Sequence, residues 1–175
     1  FVWKTASGKE LRVSFLRFLD MVHRERAYQR VTLEALNFSG TASFTTGMSF
    51  DVVHEGRGKC FWQDTRVELG EGRMLLQSHT TQSGQEEFAG ALVTLPGTAQ
   101  AQVTGQTAAL QCEMTLTQGM PVQVDKRVVV LFTGETGEAL WQRGLAALAE
   151  SEKVSLEQAM QAQRTYWDAY WHTSD

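Results

Sequence analysis

The chain has 175 residues, 42% of them hydrophobic and 21% charged. That is enough for one sizeable core but not two, and too apolar for a disordered or fibrous chain. A net charge of −4 argues against a nucleic-acid partner held by phosphate neutralisation. The longest strongly apolar run, Val128 to Phe132, is far too short to cross a bilayer, so no membrane partner is expected. The first thirty residues hold seven Lys or Arg against three acids. These cations alternate with apolar residues and read as solvated strand faces, not as a docking patch.

In chain order, the first predicted strand is Leu11–Phe15. In the next, Val31, Leu33 and Ala35 alternate with Arg30, Thr32 and Glu34. From Thr41 to Val53, Ala42, Phe44, Met48, Phe50 and Val52 share one face, and Ser43, Thr45, Ser49 and Asp51 the other. The join Asn37-Phe38-Ser39-Gly40 has turn chemistry, so these two strands are expected to form an antiparallel hairpin with one wet face. Further strands are predicted at Cys60–Leu69, Arg73–Thr80, Glu86–Leu95, Ala99–Thr104, Ala108–Gln118 and Val122–Thr133, separated by glycine-containing turns. Such regular spacing points to an all-β sandwich. Val128–Phe132 is apolar on both faces, which predicts a strand that is central or covered on its far side.

At Gly134 the period changes to that of a helix. Trp141, Leu145 and Leu148 fall at helical spacing within Glu138–Glu150, whose Gly144 costs about 1 kcal/mol relative to alanine. A second helix opens on Ser155-Leu156-Glu157-Gln158, a capping box. Leu156, Met160, Gln163, Trp167, Tyr170 and Trp171 then fall along one side. Three large aromatics at the end of that stripe need a partner surface, either the sandwich or whatever follows Asp175. The chain starts at Phe1 and stops just after this helix, so it reads as a piece of something longer.

Little in the sequence points to catalysis. Glu86 and Glu87 are adjacent and on a strand point to opposite faces, while Asp20, Asp51, Asp64 and Asp125 are each isolated. His23, His54, His79 and His172 have none of the close spacings that mark a metal site, so no metal is expected. There is no G-x-S-x-G elbow and no phosphate-cradling loop, and no cofactor is expected. Cys60 and Cys112 lie outside any CxxC pattern and read as a reduced intracellular pair. One softer candidate is Trp62 with Gln63 and Asp64, the mixture of flat ring and hydrogen-bonding groups that suits a sugar. Against it stands simple packing, because of Phe61 and Trp62 only one can face inward.

Several of these stretches, in order, resemble the N-terminal domain of family 65 glycoside hydrolases and phosphorylases, which include maltose, trehalose and kojibiose phosphorylases. They are Gly8-Lys9-Glu10-Leu11-Arg12-Val13 with Arg17-Phe18, Leu36-Asn37-Phe38-Ser39-Gly40, Met48-Ser49-Phe50-Asp51, and the strand and turn from Leu75 to Gly84. The last is Trp167-Asp168-Ala169-Tyr170-Trp171-His172-Thr173-Ser174-Asp175, which is similar to the family's linker before its catalytic barrel.

The resemblance implies a mainly β fold, an antiparallel super-sandwich of galactose-mutarotase-like type with two C-terminal linker helices. Residues 1–136 would be an incomplete N-terminal sandwich and 137–175 a helical linker toward an absent catalytic α-barrel. The catalytic glutamate and the phosphate site belong to that barrel, so no residue here is assigned a catalytic role. The implied parent is a cytoplasmic, inverting enzyme acting on a small α-glucosidic disaccharide, able to pair as a homodimer. This chain would scaffold the barrel and the mouth of its cleft through Trp167, Tyr170 and Trp171. The rival is an autonomous carbohydrate-binding sandwich using Trp62 and Asp64.

Overall fold

The computed structural model describes residues 1–132 and 134–173. Among the described residues twelve strands precede two helices: β1 (Val2–Lys4), β2 (Glu10–Leu19), β3 (Arg26–Ala35), β4 (Gly40–Ser49), β5 (Val53–His54), β6 (Lys59–Cys60), β7 (Trp62–Gly70), β8 (Arg73–Thr80), β9 (Glu86–Thr94), β10 (Ala99–Thr104), β11 (Thr107–Leu116), β12 (Pro121–Leu131), α1 (Gly137–Glu152) and α2 (Leu156–His172). A seven-stranded sheet runs β1-β2-β3-β12-β9-β8-β7, a three-stranded sheet runs β10-β11-β4, and β5 and β6 form a small ribbon. Every pairing is antiparallel. The fold is therefore the expected antiparallel β architecture closed by two helices.

The core lies between the inner faces of the two sheets. β11 shows the cause most plainly: Ala108, Leu110, Cys112, Met114 and Leu116 recur every second residue and all are buried. Opposite them lie Val31, Leu33, Met74, Leu76, Val93 and Val124 from the larger sheet. Both cysteines are free, and Cys112 is part of this core.

The hairpin expected between β3 and β4 does not form. β3 is already flanked by β2 and β12, whereas β4 pairs with β11 along its whole length, from Gly40 with Leu116 to Ser49 with Thr107. The Asn37–Gly40 stretch is instead a corner between sheets. The Asn37 side chain accepts from the Glu10 N–H at 2.8 Å and donates to the Gly8 carbonyl at 2.9 Å, tying the corner to the start of β2. Ser39 Oγ accepts from the Gln118 N–H just beyond β11. Turn chemistry thus predicted the change of direction but not the destination. β4 also ends at Ser49, so Val52 lies beyond the alternating face and is exposed.

A second apolar layer covers the outer face of the larger sheet. Leu75, Phe88, Val129 and Leu131 meet Leu140, Trp141 and Leu148 of α1. β12 is the middle strand of the seven: Val129 and Leu131 lie under α1 and Val128 packs against the sandwich core, but Val130 and Phe132 at the end of the apolar run are exposed. Gly144 is the point of closest approach: a Cβ there would lie 2.4 Å from Phe88 Cγ.

α2 opens with the predicted box. Ser155 Oγ accepts from the Gln158 N–H at 3.1 Å, and Gln158 Oε1 accepts from the Ser155 N–H at 2.8 Å. Leu156 and Ala159 then bury against Tyr28, with Phe18 beside them. Farther along, Gln163 Oε1 accepts from the Met21 N–H at 2.8 Å. The first half of α2 is thus fastened to the sheet, and the buried stripe runs through Ala159, with Met160 only half-buried.

Candidate functional site

Two places are relevant to function: the surroundings of Trp62 and Asp64, and the far end of α2. At the start of β7, Trp62 is half-buried and packs against the core, its ring centroid 4.7 Å from that of Phe50 and tilted by 53°. Phe61 lies edge-on to His54 at 6.0 Å. Asp64 sits in a bulge where the β7–β8 register shifts between Gln63 and Arg66. It is the one non-glycine residue among those described with positive φ, 52°, a conformation that aspartate tolerates better than most residues. Its side chain is 78% exposed and comes within 3.5 Å of His79 Nε2, which also meets Gln63 Nε2 at 2.9 Å. The structure therefore does not gather Trp62 and Asp64 on one open platform: the ring leans into the core while the carboxylate stands in solvent.

The neighbouring acids are committed to structure. Glu86 Oε2 accepts from the Gln77 amide at 2.6 Å and from the Gly137 N–H at 2.7 Å, placing a carboxylate on the first residue of α1. Glu87 pairs in register with Ser78, one position away and on the opposite face, and burial pushes its carboxyl pKa above the usual range. The two carboxylates do not converge. Among the described residues there is no group of three His, Cys, Asp or Glu placed to hold a metal ion.

At the end of α2 the aromatics gather on one another. Trp167 meets Tyr166 and Tyr170 edge-on, each at 5.5 Å, and stacks on Trp171 at 6.2 Å and 25°; Tyr170 and Trp171 are 5.3 Å apart. Trp167 is half-buried, while Tyr170 is 49% and Trp171 57% exposed. Ser174 and Asp175, which complete the linker motif, lie outside the described residues.

Sequence reasoning missed the ion cluster that positions this helix. Arg30 grips Asp125 with two hydrogen bonds, Nε to Oδ1 at 2.6 Å and Nη2 to Oδ2 at 2.7 Å, and donates from Nη1 to Glu157 at 2.7 Å. The bond to Asp125, then that to Glu157, raise the ionisation of Arg30 further above its ordinary value. Arg30 in turn holds the Glu157 carboxyl below the usual carboxylate range. One guanidinium thus joins β3, β12 and the first turn of α2. Arg30 had read as a solvated charge, and Arg26 from the same stretch is in fact buried. The partners of Arg30, Asp125 and Glu157, lie far away in sequence, so no local pattern announces them.

The whole frame has a known counterpart. The model of the glycosyl hydrolase family 65 N-terminal domain matches residues 1–170. The chain belongs to glycosyl hydrolase family 65. A related sequence is the alpha,alpha-trehalose phosphorylase of Geobacillus stearothermophilus, 28% identical over 82 residues, which cover 47% of this chain and 10% of that protein. A similar solved structure is a chain described as a kojibiose phosphorylase from the human microbiome. It superposes with a TM-score of 0.83 at 18% identity, over 95% of this chain and 22% of its own length, and so supports the fold. The family 65 domain here thus spans only a small part of either relative. No helix among the described residues is long and apolar enough to cross a membrane.

Proposed function

We propose that this family 65 domain is a non-catalytic scaffold of a larger enzyme that cleaves an α-glucosidic disaccharide by phosphorolysis or hydrolysis. In this reading residues 1–136 are part of a larger N-terminal sandwich, and 137–175 are the linker to a catalytic α-barrel. The observation that carries it is the end of α2. Its first half is held to the sheet by Leu156, Ala159 and the Arg30 bridge, and its last turns present Trp171, 57% exposed, stacked on Trp167. A rigidly held helix that ends in stacked indoles is suited to docking a neighbouring domain. Trp167, Tyr170 and Trp171 are the proposed inter-domain contact.

The two named relatives are phosphorylases, which supports a saccharide substrate taken up by the parent enzyme. The chemistry of the reading is inverting. A glutamic acid of the barrel protonates the leaving oxygen while phosphate or activated water attacks the opposite face of the sugar. A cytoplasmic setting and a homodimer complete it. The rival, an autonomous sugar-binding sandwich, is disfavoured because the Trp62 ring is turned onto Phe50.

The test is the double substitution Trp167→Ala and Trp171→Ala in the intact enzyme, followed by calorimetry and by disaccharide cleavage with and without phosphate. Truncating two packed indoles is expected to cost about 3 kcal/mol or more of domain docking. It should also split the unfolding transition or lower its midpoint. An unchanged transition refutes the docking role. Equal cleavage by enzyme with this domain deleted refutes the scaffold.

A further inference from the structure

β4 is the outermost strand of the three-stranded sheet, and among the described residues it pairs with β11 alone. Just beyond its end, the Phe50 N–H donates to the Gln106 carbonyl at 3.1 Å. Backbone groups alternate in direction along an antiparallel strand, so the even-numbered residues of β4 turn theirs to β11. The N–H and C=O groups of Thr41, Ser43, Thr45, Gly47 and Ser49 therefore point outward. The Gly47 carbonyl agrees with this, because it accepts from Lys126 Nζ at 2.6 Å.

Exposed sheet edges are commonly guarded by charges, prolines or a covering element. The ten residues of β4 contain no charge and no proline. Beside them a groove of about 320 Å³ separates Phe44, Thr45 and Thr46 from Val13, Phe15 and Val31 on the core-side face of the larger sheet, with Gln29 and Lys126 as its polar members. Phe15 is 57% exposed, and Phe1, 74% exposed, stacks on it at 6.1 Å. Trp3 pairs in register with Leu11, whose side chain packs against the core, and is itself 56% exposed. Three strands set against seven leave this flank of the sandwich uncovered.

We propose that the stretch of the parent enzyme leading into Phe1 crosses this flank and adds a strand to β4, pairing with Thr41, Ser43 and Thr45. The proposal rests on the reading of residues 1–136 as part of a larger sandwich and says where the rest of it joins. Two observations select this occupant. The chain covers only 22% of the similar kojibiose phosphorylase chain, so an enzyme of that size has ample polypeptide outside these residues. Phe1 exchanges backbone hydrogen bonds with Val13 at 2.9 and 3.0 Å and lays its ring on Phe15, so polypeptide joined to it starts at the groove. Lys126 ends the ladder: the Gly47 carbonyl is already bonded, and pairing stops at Thr45.

The test is hydrogen exchange at residue resolution on the intact enzyme, joined to photo-cross-linking from Thr45→p-benzoylphenylalanine, a position whose side chain is exposed. The Thr41, Ser43 and Thr45 amides should exchange as slowly as those of Ala42, Phe44 and Thr46, and about a hundredfold slower than that of Ser49 beyond the Lys126 stop. The cross-link should map, within one polypeptide, to residues preceding Phe1. Slow exchange with a cross-link to another region, or to a second copy, overturns the assignment of the strand and spares the larger sandwich. Fast exchange at Thr41, Ser43 and Thr45 overturns both. A Ser49 amide as slow as that of Thr45 removes Lys126 as the stop.

Discussion

Replacing Gly144 with alanine tests how α1 is packed, because two effects of opposite sign meet there. In an isolated helix the change should stabilise by about 1 kcal/mol, the difference in helix propensity. In this fold a Cβ at Gly144 would lie 2.4 Å from Phe88 Cγ and Cδ1 and 2.5 Å from Cε1. The ring has nowhere to go. It is fully buried, Trp141 stands edge-on to it at 5.5 Å, and from below Gly90 approaches so closely that a Cβ there would be 2.8 Å from Phe88 Cε1. A rigid aromatic clamped between two glycines can yield only if the helix lifts.

Overpacking of that kind costs about 1–3 kcal/mol, and the contacts here are at its severe end. After subtracting the propensity gain, Gly144→Ala should destabilise by about 1–2 kcal/mol. For a chain of this size that lowers the melting midpoint by about 2–8 °C. Urea and thermal unfolding of the single variant measure the net effect. Combining it with Phe88→Leu measures the coupling, and the double variant should be more stable than the sum of the singles by about 1 kcal/mol. A Gly144→Ala protein more stable than the parent, as helix propensity alone dictates, would refute this account of the layer.

Three further outcomes follow from the same geometry. Arg30→Met strands Asp125 and Glu157 and should cost about 1–2 kcal/mol, loosening α2 before the sheet, as read by hydrogen exchange. Equal protection of α2 in both proteins would contradict it. Because Arg30 depresses the Glu157 pKa, that contribution is present above the unfolded carboxylate value and is lost as pH falls through the lower folded one. The variant should therefore show a weaker acid limb between about pH 5 and 2. Burial raises the pKa of Glu87, so its effect has the opposite sign: its favourable term is present at low pH and lost as pH rises through the folded value. Glu87→Gln should gain stability over the parent between about pH 4 and 7, and a gain that shrinks over that interval would count against it. Asn37→Ala removes the bonds to Glu10 and Gly8 and should cost about 1–2 kcal/mol in denaturant midpoint. No change there would mean that the corner is held by Phe38 alone.

What could be read in the sequence is what is local. β8 and β10 coincide with their predicted spans because glycine-containing turns bracket each of them on both sides. The Ser155 box is written within four residues. The inner face of β4 follows its alternation as far as Phe50, then fails at Val52, where pairing with β11 has ended. Partner choice was hidden, since nothing in Thr41–Val53 says that its neighbour is the distant β11 and not the strand just before it. The same limit applied to charges. Asp125-Lys126-Arg127 reads as a polar stretch, yet each goes to a different place: Asp125 to Arg30, Lys126 to the Gly47 carbonyl, and Arg127 to the Glu152 carbonyl at the end of α1.

That division bears on how the domain does its work. The sandwich is made by alternation, which is redundant and tolerates substitution, whereas the helical tail adds to its apolar layers a few individual contacts that set its position. Phe88 against Gly144 sets the depth of α1, Glu86 on the Gly137 N–H fixes its start, and Arg30 with Gln163 fixes the line of α2. Because α2 spans seventeen residues, a tilt of a few degrees at Ser155 displaces the Trp171 ring by more than an ångström. If those indoles seat a catalytic barrel, substitutions at Phe88, Glu86 or Arg30 should disturb docking without touching the interface, whereas substitutions on the β11 face should lower stability and leave docking intact. Measuring both quantities on the same variants separates a scaffold that orients its partner from a module that merely accompanies it.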